Sequence, residues 1–196
     1  GKMSSRTGQI ITAESLIDQI KEKILVKIKT RDLDEEEKNN IAEKVAIGAV
    51  KYSILKQSIG KDIVFDFDKS LSFEGDSGPY LQYAYARASS ILRKAKIKKS
   101  KIKSKVKINE LKEQEIALIK EILQFPEIVE HASRNLNPSL LANYSFQLAQ
   151  KFNEFYHSCP VIKSREAAFR LRLVESFRIT LRNSLYLLGI DIMEEM

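Results

Sequence analysis

The chain has 196 residues, of which 43% are apolar and 30% charged, enough for one good core or two small packed units and unlike a disordered chain. Its net charge of +7 is local: nine basic residues and no acidic one lie between Arg93 and Lys107, and the remainder carries −2. One cysteine excludes an internal disulfide framework, two histidines are too few for a zinc-ligand pattern, and no apolar run approaches the roughly 20 residues that cross a bilayer.

The opening GKMSSRTG, residues 1–8, is glycine-flanked and carries Lys2 and Arg6 beside the hydroxyls of Ser4 and Ser5. Two readings stand. It is a loop that approaches a phosphate chain closely and neutralises its charge, or a frayed start. Thr12 then caps a helix over residues 13–28 with Leu16, Ile20 and Ile24 at helical spacing. Asp34 with Glu37 three residues on forms a capping box for a second helix, residues 35–58, whose first turn is acidic. Ile41, Val45, Tyr52, Leu55 and Ile59 give that helix its apolar face. Gly48 within it implies close packing against another backbone. Residues 61–75 read as an ordered connector or short extended segment. Asp66 and Asp68 there invite a magnesium or general-acid role, but a turn is the reading preferred.

Pro79 suits the first turn of a helix that begins after Asp76 or Ser77. On it, Tyr80, Tyr83 and Arg87 share one side at offsets of three and four. That side is either a base- and phosphate-binding surface or a core seam with polar tips. The basic run 93–107 is either a polyanion patch or a solvated linker, and its lysines give affinity more than specificity. A helix over 111–124 is expected to break at Pro126, with a short helical unit beyond. Asn137-Pro138 starts the next helix, with Leu141, Tyr144, Leu148, Phe152 and Phe155 as its buried stripe. Cys159 reads as a small buried hydrophobe rather than a nucleophile, consistent with a reducing compartment. A last helix after Ser164 turns Ala168, Leu171, Val174, Phe177, Leu181, Leu185 and Leu188 inward, projects Arg178 and Arg182 together, and ends at Gly189. These elements predict a mainly α protein, a compact antiparallel helical bundle.

Four pieces in this order resemble the C-terminal half of the arginyl-tRNA synthetases, class I aminoacyl-tRNA synthetases. They are GKMSSRTG at 1–8, FDFDKSLSFEGDSGPYLQYAYAR at 65–87, LANYSFQLAQKFNEFYHSCPV at 141–161 and LYLLGIDIMEEM at 185–196. The first is similar to a KMSKS-type loop, with Lys2 at its first lysine, Ser4 at its serine and Ser5 where a second lysine stands. That departure weakens charge neutralisation there, and Arg6 is the nearby residue that supplies charge instead. The resemblance implies the end of a class I catalytic region over 1–30, a connecting helical segment over 31–75, and a DALR-type anticodon-binding domain over 76–196.

It also implies the function. A longer parent joins arginine to its tRNA through an adenylate, using ATP with magnesium, while the present chain holds no tight cofactor and is inactive alone because the rest of the catalytic site is elsewhere. Lys2, Ser4, Ser5 and Arg6 fall to the ATP-phosphate loop. Tyr80, Tyr83, Arg87, Tyr144, Tyr156, Arg178, Arg182 and Met196 are the tRNA-contact candidates, and no metal ligand is assigned. Arginine tRNA, arginine and ATP are the expected partners, with no DNA and no membrane, for a cytoplasmic monomer. The competing expectations are a stand-alone helical RNA-binding protein and a helical protein-interaction module.

Overall fold

The computed structural model describes residues 12–61, 63, 65–97 and 110–195. Lys2, Ser4, Ser5, Arg6, Met196 and the stretch 98–107 of the basic run lie outside the described residues. In chain order the helices are α1 (Ala13–Ile28), α2 (Glu35–Leu55), α3 (Phe67–Ser70), α4 (Gly78–Ile97), α5 (Glu113–Arg134), α6 (Pro138–Ser158) and α7 (Ala167–Leu187). No strand occurs among the described residues.

Local chemistry sets most of the helix starts. Thr12 Oγ1 accepts from the Ser15 amide at 3.1 Å. Asp34 Oδ1 accepts from the Glu37 amide at 2.7 Å, while Glu37 Oε2 accepts from the Asp34 amide at 3.3 Å, completing the capping box. Asn137 Oδ1 accepts from the Ser139 amide at 3.2 Å, with Pro138 at the first turn of α6. Ser77 Oγ accepts from the Tyr80 amide at 3.2 Å and starts α4 where expected. Asp66 likewise caps α3, accepting from the Lys69 amide at 3.1 Å. The connector therefore holds a one-turn helix, and the turn reading of Asp66 accounts for its carboxylate.

Three expectations fail for identifiable reasons. Helix α2 stops at Leu55, because its last turn tightens into an i to i+3 bond from the Gln57 amide to the Ile54 carbonyl at 3.2 Å. Ile59 is consequently 73% exposed instead of facing the core. Helix α5 runs through Pro126 without a break. Proline removes one backbone bond, but Ile122, Phe125, Ile128 and Val129 on both sides of it pack on the main core and hold the axis. At the start of α7 the inward face is Ala167, Arg170 and Leu173, with Ala168 and Leu171 only partly covered. An arginine has displaced the apolar phase there.

The apolar residues form two clusters. The smaller joins Ile20, Ile24 and Ile28 of α1 to Ala42, Val45, Ala46 and Ala49 of α2, so α1 and α2 share one core. The larger is built from α4, α5, α6 and α7, and includes the stacked pair Phe152–Phe177 with ring centroids 3.9 Å apart. Glycines fit α2 against α4: a Cβ on Gly78 would overlap the Gly48 carbonyl, and one on Gly48 would lie 2.8 Å from Gln82 Nε2. This is the close approach that Gly48 implied. The C-terminal tail ties the clusters together. Gly189, at φ +66°, lets the Ile190 amide reach the Leu185 carbonyl at 2.9 Å. Ile190 then enters the larger core and Met193 the smaller one.

Candidate nucleic-acid interface

A groove of about 720 Å³ runs between the C-terminal half of α4, the end of α6, the 160–163 loop and the tail. Its lining includes Tyr83, Arg87, Arg93, Lys94, Tyr156, Lys163, Glu194 and Glu195. The three-and-four spacing on α4 places Tyr80, Tyr83 and Arg87 on the same side, and α6 supplies Tyr156 and Asn153 opposite.

Arg87 is the centre of this arrangement. Its guanidinium carbon lies 4.6 Å from the Tyr83 ring centroid and 5.5 Å from that of Tyr156. Arg87 Nη2 donates to Tyr83 Oη at 2.9 Å, and Nη1 donates to Asn153 Oδ1 at 2.7 Å. Asn153 Nδ2 donates in turn to Tyr80 Oη at 2.7 Å. Burial raises the Tyr80 phenol above its ordinary value, with the Asn153 hydrogen bond and the Arg87 charge pulling it back. Tyr156 is 38% exposed and stacks on buried Phe152 at 6.3 Å, so a rigid ring is offered to solvent on a fixed base. Every recorded partner of Arg87 is neutral. The cation is therefore oriented while its charge remains available for an anion.

The other candidates lie elsewhere. Tyr144 is 2% exposed, and its hydroxyl donates to the Glu121 carbonyl at 2.8 Å. It is a core residue, which corrects its assignment as a contact: no base can reach its face without opening the α5–α6 packing. Arg178 is bonded to both carboxylate oxygens of Glu175, at 3.1 and 2.9 Å, and lies 3.5 Å from Glu194. It also donates to Tyr85 Oη at 3.2 Å, so it fastens the tail and has carboxylates already neutralising it. Arg182 is exposed on α7 and does not line the groove. The expected joint projection of Arg178 and Arg182 is thus not a joint site. Cys159 is fully buried in the larger core, and burial pushes its thiol up, as fits an inert packing group.

Several residues in and beside the groove escape sequence reasoning. Asn153 lies one helical turn before Tyr156, a usable signal in retrospect. Glu194 accepts from Tyr85 Oη at 2.9 Å and Glu195 pairs with Arg93, contacts across more than 90 residues that no local pattern announces. Among the described residues no three His, Cys, Asp or Glu side chains gather as a metal site. No described helix is long and apolar enough to cross a membrane.

Comparison with known proteins gives the family. The sequence matches the DALR anticodon binding domain over residues 81–196 and the catalytic domain of class I (R) tRNA synthetases over residues 1–67. Among curated relatives, the arginine–tRNA ligase of Pyrococcus furiosus is 44% identical, the match covering all of this chain and 33% of that protein. That of Methanoregula boonei is 42% identical, covering all of this chain and 35% of its own length. Among solved structures, Thermus thermophilus arginyl-tRNA synthetase superimposes with a TM-score of 0.88 at 32% identity, over 100% of this chain and 34% of that one. The Plasmodium falciparum enzyme gives 0.77 at 27% identity, over 94% and 33%. The chain spans about a third of the length of the proteins it matches.

Proposed function

Because the chain belongs to the DALR anticodon-binding family, joined to the end of a class I (R) synthetase catalytic domain, we propose that it is the RNA-reading C-terminal part of an arginine–tRNA ligase. The parent forms arginyl-adenylate and pyrophosphate from arginine and ATP, then transfers the arginyl group to the terminal ribose of arginine tRNA. Lys2, Ser4, Ser5 and Arg6 serve the phosphates of ATP in that parent, and the chain alone does not aminoacylate. Residues 76–196 form the tRNA-reading domain, after a 1–30 catalytic end and a 31–75 connector, in a cytoplasmic monomer.

The observation that carries this reading is Arg87, held between Tyr83 and Tyr156 by neutral partners at the wall of a groove that also carries Lys94 and Lys163. An unstacked anticodon-loop base stacks on an exposed tyrosine ring, while its phosphate meets Arg87, Lys94 or Lys163. Aromatic stacking tolerates any base, so discrimination comes from edges fixed by the oriented polar groups. The test is the affinity of the chain for an arginine tRNA transcript and an anticodon-swapped one, at two salt concentrations, with Tyr156→Ala and Arg87→Ala beside the native chain. Preference for the matched anticodon that survives higher salt and falls in both variants supports the reading. Equal, salt-sensitive binding of both transcripts overturns it.

A further inference from the structure

We propose that Asn153 is a positioning residue for RNA recognition, whose task is to fix the plane of the Arg87 guanidinium; this rests on the reading of the groove given above. An arginine on a helix surface has four rotatable side-chain bonds, and its fork is useful against a phosphate only when its plane is set. Tyr83 alone does not set it. The Tyr83 hydroxyl holds one nitrogen at 2.9 Å from the same helix, one turn away, and the Tyr83 and Tyr156 rings beside the fork still leave it free to turn about that contact. Asn153 supplies the second point from another helix, accepting from the other terminal nitrogen at 2.7 Å.

The amide is itself oriented. Its Nδ2 donates to Tyr80 Oη at 2.7 Å, and the Tyr80 ring packs on Phe146 of α6 with centroids 5.6 Å apart. Only one amide orientation both accepts from Arg87 and donates to Tyr80, so the relay Arg87 to Asn153 to Tyr80 has a single direction. Two of the five guanidinium donors are engaged, and three have no partner among the described residues. An aspartate in this place would also hold the fork, but it would cancel the charge. Asparagine orients without neutralising, which is what a residue meant to meet an external anion requires.

The test compares Asn153→Ala and Asn153→Asp in the full chain, each also combined with Arg87→Ala, with an arginine tRNA transcript as probe and thermal melts alongside. Asn153→Ala keeps the cation but releases it, so affinity should fall about fivefold with the salt slope unchanged. Asn153→Asp retains an acceptor for Arg87 and one for the Tyr80 hydroxyl. It should melt no lower than the native chain, bind more weakly, and lose about 0.7 from the salt slope as one phosphate contact is neutralised. On the Arg87→Ala background Asn153→Ala should be silent, a non-additivity that a merely structural role would not produce, while Asn153→Asp keeps only the repulsion of its own charge. Weakening by Asn153→Ala that persists without Arg87 overturns the proposal, as do both Asn153 variants binding like the native chain while Arg87→Ala does not. If Arg87→Ala itself binds like the native chain, the groove reading fails and this proposal fails with it.

Discussion

Two arginines on this scaffold have opposite surroundings. Arg170 of α7 is buried, its side chain 5% exposed, with Nε donating to Glu115 Oε1 at 2.7 Å and Nη1 to the Pro160 carbonyl at 2.9 Å. Glu115 is 2% exposed, and its Oε2 also accepts from the Lys112 amide at 2.8 Å at the start of α5. That pair joins two helix starts and the intervening loop, and its charge is fully used. Arg87 is held as firmly in geometry, by two hydrogen bonds and two aromatic rings, yet nothing among its recorded partners carries a negative charge. What separates a structural cation from an available one here is the charge of its partners, not the number of its contacts. Arg178, bonded to Glu175 and near Glu194, sits on the structural side of that line despite its helical spacing from Arg182.

The comparison makes the two sites fail differently. Glu115→Ala leaves the buried Arg170 charge with only the half-exposed Glu166 carboxylate, 3.8 Å away, so the cost should lie near the lower end of the about 3–5 kcal/mol for breaking a buried pair. A urea titration should show that loss, and a cost below about 1 kcal/mol would mean that Glu166 or water takes over from Glu115. Arg87→Ala should instead leave the denaturation midpoint nearly unmoved while weakening RNA binding about tenfold, the equivalent of about 1.4 kcal/mol. A large stability loss in that variant would place Arg87 with Arg170 as a structural group.

The same contrast explains what was legible in the sequence. Caps and stripes at helical spacing were, because Thr12, Asp34–Glu37, Asn137 and the run from Leu141 to Phe155 act on residues three or four positions away. The Tyr80–Tyr83–Arg87 face was legible as a choice between surface and seam, but not its partner Asn153 on α6, which bonds to both Arg87 and Tyr80. Buried Arg170 was not, since its partner lies 55 residues earlier and an arginine in a core phase contradicts the apolar pattern. Tyr144 carried two readings, and the buried stripe from Leu141 to Phe155 was the right one: a tyrosine buried with its hydroxyl on a carbonyl has the same sequence appearance as one that stacks a base. Helix α5 passed Pro126 because long-range packing outweighed a local break.

Smaller changes sharpen the division between stability and affinity. Glu121 has one carboxylate oxygen buried without a partner, and burial holds its pKa above the ordinary carboxylate value, only partly offset by Lys151. Folding therefore favours its protonated form. The penalty on the folded state is present above the folded pKa and disappears as pH falls below the unfolded value of about 4.3. Glu121→Gln should stabilise the chain at pH 7, and the gain should shrink to nothing in acid. A gain equal at both pH values would remove ionisation as its cause. RNA affinity should be unchanged, because Glu121 does not line the groove.

The corner between α5 and α6 gives the mildest case. Its closing bonds run from the Asn137 amide to the Ala132 carbonyl at 2.9 Å and from the Leu136 amide to Ser133 at 3.2 Å, a helix-ending pattern that places Leu136 where glycine is usual. Leu136 adopts φ +48° and is 79% exposed, so its side chain returns little burial for the strained backbone. A left-handed conformation costs a side-chain-bearing residue about 1–2 kcal/mol, and glycine gives back about 0.5–1 through its freer unfolded state. Leu136→Gly should therefore stabilise by about 0.5 kcal/mol. It touches neither arginine, so a calorimetric melt should rise by a few degrees at most with tRNA affinity constant. Should affinity move with it, the groove would be coupled to this corner, and the independence of the two arginine sites would be lost.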